Sequence, residues 1–119
     1  YSPNALGATI NDETLKRLKV EIIAGGANNQ LAEERHGDEV ERRGMLYAPD
    51  YVINGGGVIN VYGELMGWDH DRAKAAAIYD TMLNLFAISA AQKIPTYQAA
   101  DHLAEARIDA VRSVAGIRV

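Results

Sequence analysis

The run Val20-Glu21-Ile22-Ile23-Ala24, closed by Gly25-Gly26, limits what this chain can become more than any other stretch. It is short, β-branched and almost wholly apolar, which fits a strand buried on both faces, the kind parallel sheets contain. A polar stretch over residues 30–43 follows and reads as a helix, weakened at His36 and Gly37 and stopped by Arg42-Arg43-Gly44. Residues 45–48 read as a second strand ended by Pro49-Asp50, and residues 51–54 as a third running into Gly55-Gly56-Gly57. Strand, helix and strand joined by short links predict a parallel α/β sheet of two to three strands. A free-standing doubly wound sheet holds more, so further strands are expected upstream of Tyr1.

The rest of the chain reads as a helical tail. A short helix over 58–66 follows the glycines, and Asp69 caps a long one with Asp71 in its first turn. Ala76, Tyr79, Leu83, Phe86 and Ala90 recur at spacings of three and four and predict its inward face. Pro95 interrupts, and Thr96 caps a last helix that carries Ala100, Leu103, Ala104, Ile108 and Val111 inward. Near the start, Asn11 caps a short helix, with Leu15 and Leu18 facing the core.

Composition narrows the function classes. The 119 residues carry a net charge of −4 with scattered basic residues, so there is no stripe to neutralise phosphates and nucleic acid is a poor partner. The chain has no cysteine, which removes thiolate chemistry, disulfides and zinc knuckles. No apolar run reaches the ~18–20 residues a membrane span needs. Tyr1-Ser2-Pro3-Asn4 reads as a cut edge rather than a natural start.

Few residues announce chemistry on their own. Gly55-Gly56-Gly57 lacks the third glycine of a dinucleotide fingerprint, Asn60 standing in its place, and reads as a tight turn before it reads as a phosphate cradle. Asn28-Asn29 follow a strand directly, where parallel sheets gather ligands, and paired amides there can read a primary amide or an amine. An Asx turn with Asn29 or Gln30 capping the next helix is the reading that composition alone favours. His36, His70 and His102 lack companions at metal-ligand spacing, and Asp69-His70-Asp71 is explained by helix capping. Lys16, Lys19, Lys74 and Lys93 read as solvated surface lysines, while Tyr62 and Trp68 read as plain core.

Taken in order, Ser2-Pro3-Asn4-Ala5-Leu6-Gly7-Ala8, Ile23-Ala24-Gly25-Gly26-Ala27-Asn28-Asn29-Gln30-Leu31, Leu46-Tyr47-Ala48-Pro49-Asp50-Tyr51-Val52-Ile53-Asn54, Gly56-Gly57-Val58-Ile59-Asn60-Val61 and Ile94-Pro95-Thr96-Tyr97-Gln98-Ala99-Ala100-Asp101 resemble the glutamate/leucine/phenylalanine/valine dehydrogenase superfamily, most of all its leucine dehydrogenase branch. The resemblance implies a Rossmann-type cofactor domain in a two-domain subunit. It also implies NAD-dependent reversible oxidative deamination of an L-amino acid to a 2-keto acid and ammonia. Residues 1–66 would be the C-terminal half of the NAD-binding domain, and residues 67–119 a helical tail linking to another domain. By the same resemblance Ala5 and Leu6 lie beside the nicotinamide-ribose end of NAD. Asn28 and Asn29 hold the nicotinamide carboxamide, with Asn29 also approaching the substrate amine, and Val58 and Val61 line the side-chain pocket. Two valines suit an aliphatic side chain and favour leucine, valine or isoleucine, with an aromatic substrate as the alternative.

Two departures from the family pattern are mild: Gly55 replaces a commoner alanine, and Asn4 stands where many members carry cysteine. The glycine fingerprint, the ribose-binding acid, both active-site lysines and the catalytic aspartate belong upstream of Tyr1. This chain alone is therefore expected to be inactive, with no catalytic residue and no metal site of its own. The parent is expected to be a cytoplasmic homo-oligomer. A non-catalytic module that binds nucleotide or pairs with full-length subunits is the rival expectation.

Overall fold

The computed structural model describes residues 1–67 and 72–115, so the expectations placed on Trp68, Asp69, His70 and Asp71 lie outside it. Asn11 opens α1 (Asp12–Arg17): its Oδ1 accepts from the amides of Glu13 and Thr14, and Thr14 Oγ1 accepts in return from the Asn11 amide. Two donors that the helix leaves orphaned are thereby paired. The strands β1 (Ile22–Ile23) and β2 (Leu46–Tyr47) flank α2 (Glu34–Arg42) and pair in parallel, Ile22 with Leu46 and Ile23 with Tyr47. Residues 1–3 run along the other edge of β1, where Ala24 and Ala27 donate to the carbonyls of Tyr1 and Pro3, each at 3.0 Å.

Helix α2 begins four residues later than expected. Gln30 does not cap it; this side chain is fully buried, and its Nε2 donates to the carbonyls of Gly25 and Ala27. His36 and Gly37 do not weaken the helix either. Both are buried within it, and His36 Nδ1 accepts the amide of Glu33 at its start. The stop at Gly44 is as read, with φ at +71° and its amide donating to Glu41.

The third strand expected over residues 51–54 is a helical turn instead, α3 (Asp50–Ile53). Pro49 supplies the carbonyl to which the amides of Val52 and Ile53 both return, and Asp50 sits favourably in the first turn. Local β-propensity in Val52 and Ile53 yields because packing against a helix, not pairing with a strand, buries them. After a turn at residues 54–55 come α4 (Gly56–Leu65), α5 (Arg72–Gln92) and α6 (Thr96–Ala115).

Two clusters flank the sheet, one on a face and one at the end of β2. On one face Ile10, Leu15, Ile23, Val40, Met45 and Tyr47 pack together, with Leu18 closing the edge. In the other cluster, Ala48, Met82, Leu85, Ala99 and Ala100 tie the end of β2 to α5 and α6. Side chains alternate across a strand, so Ile23 is fully buried while its neighbour Ile22 is 54% exposed. Burial of β1 on both faces is therefore not found.

The inward face of α5 also differs from expectation: Met82, Leu85 and Ser89 are buried, whereas Tyr79 and Leu83 are exposed. Apolar residues are spread around this helix without one dominant face, so its 3–4 spacing fits more than one. Likewise α6 buries Ala99 and Ala100 but exposes Ile108 and Val111, and Tyr62 on α4 is half exposed rather than core. Ile22, Leu46, Tyr79, Leu83 and Phe86 together line an apolar groove of about 530 Å³.

Candidate functional site

Both strands run the same way, so the loops that follow them rise side by side, the place where parallel sheets carry their ligands. The loop after β1 is pinned from beneath. Gly25 lies so close to the backbone of Pro3 that a β-carbon there would fall 2.6 Å from the proline nitrogen. Asn4 Oδ1 accepts from the Gly26 amide at 2.8 Å, and the Ala8 amide donates to the Asn29 carbonyl at 2.7 Å. Residues 4–8 thus nest on residues 25–29 and leave Ala5 and Leu6 exposed beside them.

Asn28 and Asn29 crown this loop with exposed side chains. Asn29 has φ at +52°, in the left-handed region that asparagine tolerates better than most residues. Its amide donates to Asp50 Oδ2 at 2.9 Å, while Asp50 Oδ1 accepts from the Tyr47 hydroxyl at 2.8 Å. Asn54, one helical turn past Asp50, donates from Nδ2 to Asn28 Oδ1 at 2.6 Å. The short helix α3 therefore holds both asparagines, one by its backbone and one by its side chain. No described side chain pairs with the Asn29 amide group, which offers one acceptor and two donor hydrogens outward.

A groove opens from this point between α4 and α6. Asn28, Asn29, Asp50, Asn54, Val58 and Arg107 lie along it. Of the expected site residues, the structure brings Asn28, Asn29 and Val58 together. Val61, one turn further along α4, is 65% exposed outside the groove lining, and Ala5 and Leu6 also lie outside it. Gly56 and Gly57 occupy the first turn of α4, where a β-carbon would meet nothing within 4 Å. They follow a helical turn and not a strand, so the dinucleotide geometry is absent here; the turn is confined to residues 54–55, and the helix expected from Val58 begins two residues earlier, taking in Gly56 and Gly57.

Two phenols border the site and both are held protonated. Burial, then the bond to Asp50, drives the Tyr47 hydroxyl far above its ordinary value, and burial with the bond to Asp101 does the same for Tyr51. Neither can serve as a base near neutrality. Tyr51 also reaches the Tyr97 carbonyl at 3.0 Å, fastening α6 to α3. The described residues can thus recognise an amide or amine and line an apolar cavity, and they group no three His, Cys, Asp or Glu in a metal-binding cluster. Asp50, Tyr47 and Asn54 escaped the sequence reading; the one available signal was an acid placed directly after Pro49 at a strand end.

Among the described residues no helix is long and apolar enough to cross a membrane. Leucine dehydrogenase of Thermoactinomyces intermedius is 56% identical over 114 residues, covering 94% of this chain and 31% of its own length. Valine dehydrogenase of Streptomyces albus is 50% identical over 115 residues, covering 95% of this chain and 32% of its own length. The crystal structure of L-tryptophan dehydrogenase from Nostoc punctiforme superposes with a TM-score of 0.88 at 46% identity, over 94% of this chain and 34% of that one. The chain thus spans about a third of the length of these relatives. The Glutamate/Leucine/Phenylalanine/Valine dehydrogenase profile matches residues 1–117, and the chain belongs to that family of amino-acid dehydrogenases.

Proposed function

We propose that this chain is part of a longer subunit that oxidatively deaminates a branched-chain L-amino acid, L-leucine foremost, with NAD, and that it supplies one wall of the nicotinamide and substrate site. The observation that carries the reading is the placement of Asn28, Asn29 and Val58 around one groove at the shared end of two parallel strands. NAD, when bound, supplies the hydride acceptor. The outward amide of Asn29 complements a carboxamide or an amine, which fits the nicotinamide end of the cofactor. Asn28, anchored by Asn54, flanks it, and Ala5 and Leu6 form the neighbouring rim. Val58 excludes water from the substrate side chain, joined by Val61 where the remaining subunit closes over α4. The step that moves the substrate proton is assigned to the rest of the subunit. Residues 67–119 would link to that other domain, in a cytoplasmic homo-oligomer.

The test compares this chain with the full-length gene product. The isolated chain should form no NADH from L-leucine above a buffer blank. The full-length protein should form it, and Asn29→Ala should lower its kcat/KM by about tenfold or more. Turnover by the isolated chain, or full-length turnover indifferent to Asn29→Ala, would overturn the reading.

A specific observation favours a second substrate class. The L-tryptophan dehydrogenase of Nostoc punctiforme is 50% identical over 91% of this chain, and Val58 stands 75% exposed at an open groove with room for a ring. Higher kcat/KM for L-phenylalanine or L-tryptophan than for L-leucine would establish it.

A further inference from the structure

We infer that Asp50 is a positioning residue for the amino-acid and dinucleotide site, acting only through the backbone of Asn29, with Tyr47 as its counterweight. The inference rests on the role proposed above for Asn29. Asp50 is 7% exposed, and each of its carboxylate oxygens has one donor: the Tyr47 hydroxyl at 2.8 Å and the Asn29 amide at 2.9 Å. A buried carboxylate is costly unless its oxygens are paired, so this geometry leaves little freedom to the group or to its partners. Asn29 needs such a hold. Its φ of +52° is one that a residue with a β-carbon adopts reluctantly, and it persists where the surroundings over-determine it.

The direction in which the Asn29 side chain leaves the loop is set by that dihedral. Asp50, although it borders the groove, is largely buried, and each of its oxygens is held by a donor, Tyr47 on one and the Asn29 amide on the other. Its influence on the site passes through the neighbour it holds. Tyr47 reaches it from β2, so the carboxylate is fixed against the sheet and transmits the position of β2 to the loop after β1. Burial and the bond to Asp50 both keep Tyr47 protonated, which preserves it as a donor.

The experiment uses the full-length protein with Asp50→Asn, Asp50→Ala, Tyr47→Phe and Asn29→Ala. Three quantities are read: amide hydrogen exchange at Asn29, NADH affinity by fluorescence, and the separate kcat and KM for L-leucine. Asp50→Ala should speed exchange at Asn29 by roughly ten- to a hundredfold, while the sheet amide of Ala48, bonded to Ile23, keeps its protection. It should weaken NADH binding and lower kcat together. Asp50→Asn keeps one acceptor and should restore much of both, which a loss through general unfolding would not allow. Tyr47→Phe should fall between the two.

If Asn29→Ala impairs binding and turnover but Asp50→Ala and Asp50→Asn leave Asn29 exchange, NADH affinity and kcat at wild-type values, this inference fails and the role of Asn29 stands. If Asn29→Ala is itself without effect, the parent reading fails. Should Asp50→Ala fail to fold, the Asn variant and Tyr47→Phe decide on the same three readouts.

Discussion

Gly37 lies flat against the ring of Tyr97: a β-carbon on the glycine would fall 2.6 Å from Cδ1 and 2.8 Å from Cε1. The ring cannot easily retreat, because its hydroxyl donates to Asp38 on the same helix at 3.0 Å. Two effects oppose each other in Gly37→Ala. Helix propensity favours alanine by roughly 0.5–1 kcal/mol, whereas overpacking a tight contact costs about 1–3 kcal/mol. The contact should win, and the urea midpoint should fall. A midpoint equal to or above wild type would show that α6 shifts without penalty.

Leu85 and Leu83 stand two residues apart on α5 with opposite fates. Leu85 is fully buried against Ala48 and Ala99, so Leu85→Ala should cost about 2–5 kcal/mol. Leu83 is 49% exposed, and Leu83→Ala should cost under about 1 kcal/mol in this chain by denaturant titration. Equal losses would mean that the groove beside β1 is closed in solution.

Acid should weaken the contact between α1 and α2 in a defined window. The two hydrogen bonds from Arg35, at 2.8 and 2.7 Å, hold the Asp12 carboxyl down at about 2, below its ordinary 3.8. A carboxylate depressed in the folded state contributes fully above the unfolded value and loses that contribution as pH falls through the folded one. The Asp12 contribution is thus intact above 3.8 and gone below about 2. Asp12→Asn should flatten the fall of the melting temperature between those limits, and added salt should shrink the difference because the pair is exposed. Parallel curves for the two proteins would refute it.

Gly57 offers a test that separates fold from site. Nothing obstructs a β-carbon there, so Gly57→Ala should stabilise this chain by about 0.4–1 kcal/mol. If a ligand approaches the bare start of α4 in the full-length enzyme, the same change should raise KM or Kd. A variant both more stable and unimpaired would remove α4's first turn from the site.

Val58→Ala enlarges the proposed pocket. It should reduce kcat/KM for L-leucine by about tenfold, the scale of one or two methylenes in an apolar cavity. Larger side chains should lose less. An unchanged ratio between L-leucine and L-phenylalanine turnover would place the pocket elsewhere.

What could be read ahead of the structure depended on how locally each feature is determined. The cap at Asn11, the stop at Gly44 and both strands were legible because each is decided by a handful of adjacent residues. The third strand was not. Tyr51, Val52 and Ile53 favour strands by propensity, and only the packing of α5 against them, some thirty residues further on, decides for a helical turn. The buried face of α5 failed for a related reason, since apolar residues spread around the helix give spacing little power to choose. In the candidate site, Asn28, Asn29 and Val58 were found through family likeness. Asp50 was not, because its importance lies in a contact across 21 residues that no short pattern encodes.

The bracing of one loop by α3 has a consequence for anyone who would insert or delete residues here. Because Asp50 and Asn54 each grip a particular asparagine, the path from β1 to Asn29 has a counted length. One residue added between Ala24 and Asn28 would put the wrong amide over the carboxylate. The turn at Gly44 carries no such count: it is exposed, and a β-carbon there would meet nothing within 4 Å, although its φ of +71° makes the glycine itself the residue to keep. Tags, labels and grafted peptides belong beside Gly44, with that glycine kept, and the loop after β1 should be altered only by substitution.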